Sequence, residues 1–173
     1  GLNFDKKDQR EYTGYYLKKY SPMADAAGKS LAEKMGAVNF MLGQFQDYVS
    51  IRYADVLLMA AELGSANAQK YFDDVRKRAF GASYIQKTVS QANIMIERRL
   101  EFAGEGIRYW DLLRQGVSVA ASTIAESVIL QNGGTNATKT ILASKITETK
   151  GLVQIPTVQI TLSDNVLDQN AGW

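Results

Sequence analysis

Apolar side chains in the middle of the chain, over residues 50–130, recur at the spacing of one helix face. Steps of three and four residues are typical of amphipathic helices. The first set consists of Tyr53, Val56, Leu57, Ala60, Ala61 and Gly64. A second set begins at Ala68 and ends at Ala79, after the helix-breaking Gly64-Ser65. We therefore predict an antiparallel helical hairpin over 51–80.

Three further helices follow in this central region. Thr88 and Gln91 have the spacing of a capping box and predict the start of the third helix. Its expected buried positions are Ile96, Leu100, Ala103 and Ile107. Glycines then separate a fourth helix, at 108–115, from a fifth, at 117–130. Trp110 falls within the fourth helix, and we expect it in the core.

The two ends of the chain have a different pattern. Residues 1–48 form a Tyr-rich lead-in and loop, with a β-prone stretch at 12–17. In residues 131–173, isolated apolar residues alternate with Thr, Gln and Lys, which favours an extended segment or short strands. The expected fold class is mainly α, with extended or short-strand segments at both ends of a single domain.

Composition restricts the possible chemistry. The 173 residues include no His and no Cys, which excludes an imidazole base, a thiolate nucleophile, a disulfide and the usual zinc ligands. A formal net charge of +2 is too small to indicate nucleic acid or an anionic membrane as a partner. No cofactor and no metal site are expected. The start of the chain is polar and does not look like a signal peptide.

Acidic residues repeat every four positions at Glu97, Glu101 and Glu105. Two carboxylates that flank a scissile bond would suit a glycoside hydrolase. Carboxylates on one helical stripe project in the same direction, so the hydrolase is the weakest hypothesis. The favoured interpretation is a structural ion-pair lattice of Glu97, Arg98, Glu101, Arg108 and Asp111. No catalytic residue is assigned.

Tyrosines cluster in the lead-in segment. Exposed tyrosine rings stack on sugars and hydrogen-bond to hydroxyls, since each ring has an apolar body and a polar tip. Tyr12 and Tyr16 are the candidate ligand-binding residues. The alternative, that both pack inward from a strand, remains equally open.

Several segments in order resemble the SusD/RagB family of outer-membrane nutrient-binding lipoproteins. The most specific is IERRLEFAGEGIRYWDLLR at 96–114, preceded by IRYADVLLMAAE at 51–62 and VRKRA at 75–79. TGYYLKKY at 13–20 resembles the family's lead-in. QIP at 154–156, QITL at 159–162 and QNAGW at 169–173 resemble its terminal signature, with Ala171 in place of the usual proline.

The resemblance implies a non-catalytic protein on the cell surface of a Gram-negative bacterium. Such proteins bind oligosaccharides or other nutrients and cap a SusC-like TonB-dependent transporter. Their fold has tetratricopeptide-like helical hairpins. Members are longer and carry an N-terminal lipid on a cysteine, so this chain resembles the C-terminal portion. The alternative function is a helical-repeat module that docks a protein partner and has no ligand site of its own.

Overall fold

The computed structural model describes residues 10–12, 17, 24–37, 49–132 and 135–173. The chain divides into two compact units. One consists of Gly14–Gly104, and the other joins Gly1–Thr13 to Glu105–Trp173. Helices predominate and the strands are short, so the expected fold class is confirmed.

The unit formed by Gly14–Gly104 is a helical layer. Its described α-helices are α1 (Leu31–Lys34), α2 (Tyr53–Glu62), α3 (Ala68–Phe80) and α4 (Gln91–Glu101). The hairpin predicted at 51–80 is confirmed, because α2 and α3 pack together across a turn at Gly64, whose φ is +74°. α2 also packs against α4. Leu58, Phe72 and Ile94 are the most deeply buried large side chains of this core.

The buried faces of α2 and α4 differ from the predicted ones. Tyr53 and Val56 are exposed on α2, whereas Leu57, Leu58 and Ala61 are buried. On α4, Ile96 and Leu100 are exposed, and Ile94 is buried beside Glu97 and Arg98. Apolar residues occupy more than one face of each helix, so periodicity alone does not select the inner face. Charged side chains with partners on neighbouring helices lie on the buried face.

The start of α4 is also displaced from the predicted capping box. Ser90 is the N-cap residue, and its Oγ accepts a hydrogen bond from the Asn93 backbone N–H at 3.2 Å. The Asn93 side chain donates in turn to the Thr88 carbonyl at 2.8 Å. Ser90 has the extended backbone that an N-cap requires, with φ −157° and ψ 158°.

The second unit combines short helices with a small sheet. Its described helices are α5 (Arg108–Leu113), α6 (Val117–Ile124), α7 (Ala143–Glu148) and α8 (Thr157–Leu162). Strands β1 (Arg10–Tyr12), β2 (Glu126–Asn132) and β3 (Thr135–Ile141) form an antiparallel sheet in the order β1-β2-β3. Leu112, Ala120, Ala121 and Ile146 form the core that joins α5, α6 and α7.

One prediction about a helix of this unit was wrong. The fifth helix ends at Ile124 and not at residue 130, because the Val128-Ile129 stretch pairs with β3 as part of β2. β-branched residues pack well on a paired, pleated strand. The segment 131–173 has the expected short strand, β3, and also contains two short helices. Among the described helices, none has both the length and the apolar character needed to cross a bilayer.

Trp110 is not in the core. It is 61% exposed, and its ring meets Tyr109 edge-on with centroids 5.4 Å apart. α5 buries Asp111 and Leu112 instead. Six residues make fewer than two helical turns, so α5 can bury one narrow face only. The adjacent Trp110 therefore points away from the packed side.

Two glycines with the same backbone angle give a matched test of packing near the end of α7. Gly151 and Gly64 both have φ +74°, but a Cβ at Gly151 would meet the Leu113 side chain, whereas nothing lies near Gly64. Alanine at either position imposes left-handed strain of roughly 1–2 kcal/mol. We expect Gly151→Ala to lower the free energy of unfolding by roughly 1–3 kcal/mol more than Gly64→Ala, measured in urea. Equal losses would contradict the close approach of Leu113.

Candidate functional site

The charged residues of α4 bind α2 and α3 through buried ion pairs. Arg98 Nη1 donates to Asp55 Oδ1 of α2 at 2.6 Å. Arg76 Nη1 of α3 donates to Glu97 Oε2 at 2.6 Å. Arg76, Glu97 and Arg98 are each no more than 5% exposed. Burying a charge without a partner is costly, so these contacts determine which side of α4 faces the hairpin.

Glu101 continues the same stripe and binds two arginines. Its carboxylate accepts from Arg52 Nη1 and from Arg78 Nη2, both at 2.6 Å. Arg52 also donates to the Glu101 carbonyl at 2.6 Å. The next residue, Phe102, lies under the Arg52 guanidinium, with 4.4 Å from its ring centroid to Cζ. These contacts secure the last turn of α4 to the start of α2.

The five residues predicted as one lattice are distributed over both units. Glu97, Arg98 and Glu101 belong to the helical layer, and Arg108 and Asp111 to the second unit. Asp111 Oδ1 accepts from Arg114 Nε at 3.0 Å.

Sequence reasoning missed the partners Arg52, Asp55 and Arg76. Arg76 lies on the inner side of α3, which places it in the core.

A polar cluster closes the loop that follows α3. Asp73 accepts hydrogen bonds from Gln69 Nε2 at 2.8 Å and from Gln86 Nε2 at 3.0 Å. Burial opposes ionisation of Asp73, but the Tyr84 hydroxyl and these two amides outweigh burial and lower its pKa. Burial and the neighbouring Asp73 carboxylate raise the pKa of Tyr84 to about 12. Asp73 is therefore an ionised structural acceptor at neutral pH.

The second unit contains a pocket of about 590 Å³, which we call the Trp173 pocket. It is surrounded by the end of β3, by α7 and the residues that follow it, by Tyr109 of α5 and by Trp173. Most of its wall is aliphatic, from Ile141, Leu142, Ile146, Leu152 and Val153. The rings of Tyr109 and Trp173 complete the apolar lining, and Thr140, Lys145 and Thr149 are its polar members.

The two aromatic rings of the pocket are held by hydrogen bonds to the backbone. Tyr109 donates its hydroxyl to the Gly151 carbonyl at 2.6 Å, and Trp173 donates Nε1 to the Leu152 carbonyl at 2.9 Å. The Lys145 ammonium lies over the Trp173 ring, 5.0 Å from its centroid, and also donates to the Gly172 carbonyl. These contacts give the pocket a defined aromatic wall.

The structure describes one of the two predicted ligand-binding tyrosines. Tyr12 is the last residue of β1, and its Cα lies opposite Gln131 of β2. Tyr16 lies outside the described residues. Among the described residues, no cluster of three His, Cys, Asp or Glu side chains is arranged to hold a metal ion.

Comparison with known proteins identifies the family. The model of the SusD family matches residues 3–173. The chain belongs to the SusD family. The SusD-like protein P25 of Formosa agariphila is 41% identical over an 80-residue alignment that covers 40% of this chain and 15% of that protein.

Solved SusD-like structures agree with the fold. Surface glycan-binding protein A of Bacteroides thetaiotaomicron, in complex with laminarihexaose, is 35% identical with a TM-score of 0.52, over 70% of this chain and 24% of that one. A second structure of that protein, also 35% identical, gives a TM-score of 0.51 over 69% of this chain and 23% of that one. The chain thus spans less than a quarter of the length of these relatives.

Arg98→Ala tests the buried pairs. Removing one partner of a buried pair leaves an uncompensated charge, here Asp55, and we expect a loss of about 3–5 kcal/mol in the free energy of unfolding. Arg99→Ala is the matched control, since Arg99 is the exposed neighbour on the same helix and its loss should stay within about 0.5 kcal/mol. Urea denaturation of both variants measures these losses in the free energy of unfolding. Similar losses would show that the pair does not hold α4 in place.

Asp73→Asn tests the polar cluster through pH. A carboxyl whose pKa is lowered by folding stabilises the fold above its unfolded pKa, near 3.8, and this stabilisation is lost as pH falls below that value. We expect Asp73→Asn to be less stable than the wild type at neutral pH and to approach it at about pH 3. Asp74→Asn, which removes only the exposed pair with Lys70, is the matched control and should change stability little at neutral pH. A constant difference for Asp73→Asn at both pH values would contradict the assignment.

Proposed function

We propose that this chain is the C-terminal scaffold part of a non-catalytic glycan-binding protein in an outer-membrane uptake complex. The observation that carries the proposal is its likeness, in sequence and in fold, to surface glycan-binding protein A, which was solved with laminarihexaose. Membership of the SusD family over nearly the whole chain supports the same function. The full-length protein would be anchored at the cell surface by a lipid at its N-terminus.

The placement of the acidic residues favours binding over catalysis. Glu97 and Glu101 each accept hydrogen bonds from arginine and lie on one helix. An acid and a nucleophile that act on a glycosidic bond must instead face each other across a cleft. The carboxylates of α4 therefore serve the packing of the helices.

The proposed partner is a SusC-like TonB-dependent transporter, into which the bound oligosaccharide would pass. A second candidate function, docking of a protein partner without a ligand site in this chain, is supported by the exposed apolar faces of α2 and α4. Tyr53 is 74% exposed, and Ile96 and Leu100 are exposed on α4. Exposed apolar surface of this kind is typical of protein contact sites.

A glycan array that includes laminarihexaose, probed with the purified chain, tests the assignment of Tyr12 and Tyr16. Loss of a stacking ring weakens sugar binding, so we expect Tyr12→Ala or Tyr16→Ala to abolish binding while the melting temperature is unchanged. Tyr53→Ala is the matched control, because it removes an exposed tyrosine outside the lead-in segment.

Two results would count against a sugar site in the lead-in segment. Binding that survives both lead-in substitutions would place the sugar elsewhere in the chain. No binding by a chain that is folded by circular dichroism would favour the docking function for this part of the protein.

A further inference from the structure

The Trp173 pocket is unusual for a sugar-binding surface because its polar side chains already have partners within the chain. Tyr109 and Trp173 donate to backbone carbonyls. Thr149 Oγ1 donates to the Lys145 carbonyl at 2.9 Å, and Thr140 Oγ1 shares a hydrogen bond of 2.8 Å with Ser127 Oγ. The Lys145 ammonium, which has three donors, retains donor capacity after its bond to the Gly172 carbonyl.

Such a lining does not suit a carbohydrate. A sugar that entered would exchange the water around its hydroxyls for aliphatic walls, and polar groups that lose their partners are costly to bury. The ammonium of Lys145 also covers one face of the Trp173 ring, which would otherwise be a stacking platform. The volume of about 590 Å³ nevertheless falls in the range of small-molecule sites.

The lining suits an apolar chain with a negative end. Leu142, Leu152 and Val153 remain more than half exposed at the pocket, so an occupant would remove their side chains from water. Lys145 places a positive charge at the same pocket, and the Glu148 carboxylate, 3.8 Å away, is solvent-exposed. An exposed pair of this kind is weak and leaves the ammonium available.

We propose that the Trp173 pocket binds an acyl chain that bears an anionic head group. The acyl chain would lie against the aliphatic wall and the Tyr109 and Trp173 rings, and the head group would contact Lys145. A free fatty acid and an anionic membrane lipid share this chemistry. The proposal goes beyond glycan binding and does not depend on it.

Fluorescence quenching of Trp173 tests the proposal directly. The chain has two tryptophans, so Trp110→Phe leaves Trp173 as the sole reporter, and Trp110 is exposed outside the pocket lining. The probe is ω-bromododecanoate, whose bromine quenches tryptophan at contact, titrated below its micelle concentration. We expect saturable 1:1 quenching that unbrominated fatty acids reverse, and the affinity of these competitors should fall by up to about fourfold for each methylene removed. The neutral competitor dodecanol should bind more weakly than dodecanoate.

A pair of matched variants in this background separates the pocket from other apolar surface. Val153→Asp places a carboxylate in the lining and should weaken binding about tenfold or more. Val166→Asp makes the same change at an exposed valine outside the lining and should leave binding unchanged. Circular dichroism confirms that both variants are folded.

Each possible outcome of these experiments either supports or overturns the proposal. Quenching that Val153→Asp weakens and Val166→Asp preserves supports the proposal. Vesicles of brominated phosphatidylglycerol then distinguish the two sources, since quenching by vesicles indicates membrane lipid and quenching by the free acid alone indicates a soluble acyl anion. No saturable quenching, equal effects of the two variants, or a change in Trp173 emission with laminarihexaose instead would overturn it.

Discussion

Buried arginine–carboxylate pairs on one side of α4 are the constraint on which the helical layer depends. Arg76 reaches Glu97 from α3, and Arg98 reaches Asp55 on α2, in surroundings where an unpaired charge would be strongly destabilising. The charges must face the hairpin, so Ile96 and Leu100 face outward. The same contacts that stabilise the layer therefore create the exposed apolar face available to a partner, and they also occupy the carboxylates that a hydrolase would need.

Local sequence signals predicted the elements whose cause is local. The hairpin of α2 and α3 follows from helical spacing and a glycine turn at Gly64, and the structure confirms it. The buried face of α4 depends on ion pairs with Asp55 and Arg76 on other helices. The spacing of apolar residues within α4 does not predict these pairs. Strand β2 likewise forms because β3 pairs with it, although the residues of β2 up to position 130 were predicted as the end of a helix. Tertiary context decided these cases.

In the candidate site, too, local sequence suggested some residues, whereas only the fold brings the others together. The tyrosines at Tyr12 and Tyr16 could be proposed because they cluster in sequence, and their role remains a prediction. The Trp173 pocket could not be predicted from sequence spacing, because Tyr109 and Trp173 are far apart in the chain. Only the fold places both residues in the lining of one pocket. Trp173 was noticed only within a terminal segment that resembles the family, where its hydrogen bond to Leu152 and its contact with Lys145 were hidden.

A double-mutant cycle on Arg76 and Glu97 most directly tests the claim that buried pairs organise this scaffold. The free energies of unfolding of Arg76→Met, Glu97→Gln and the double variant, compared with the wild type, give the coupling energy between the two side chains. A coupling of about 1–3 kcal/mol is predicted for this pair, and a clearly smaller one for the exposed pair of Lys70 and Asp74. A buried pair that couples no more strongly than the exposed pair would contradict the account.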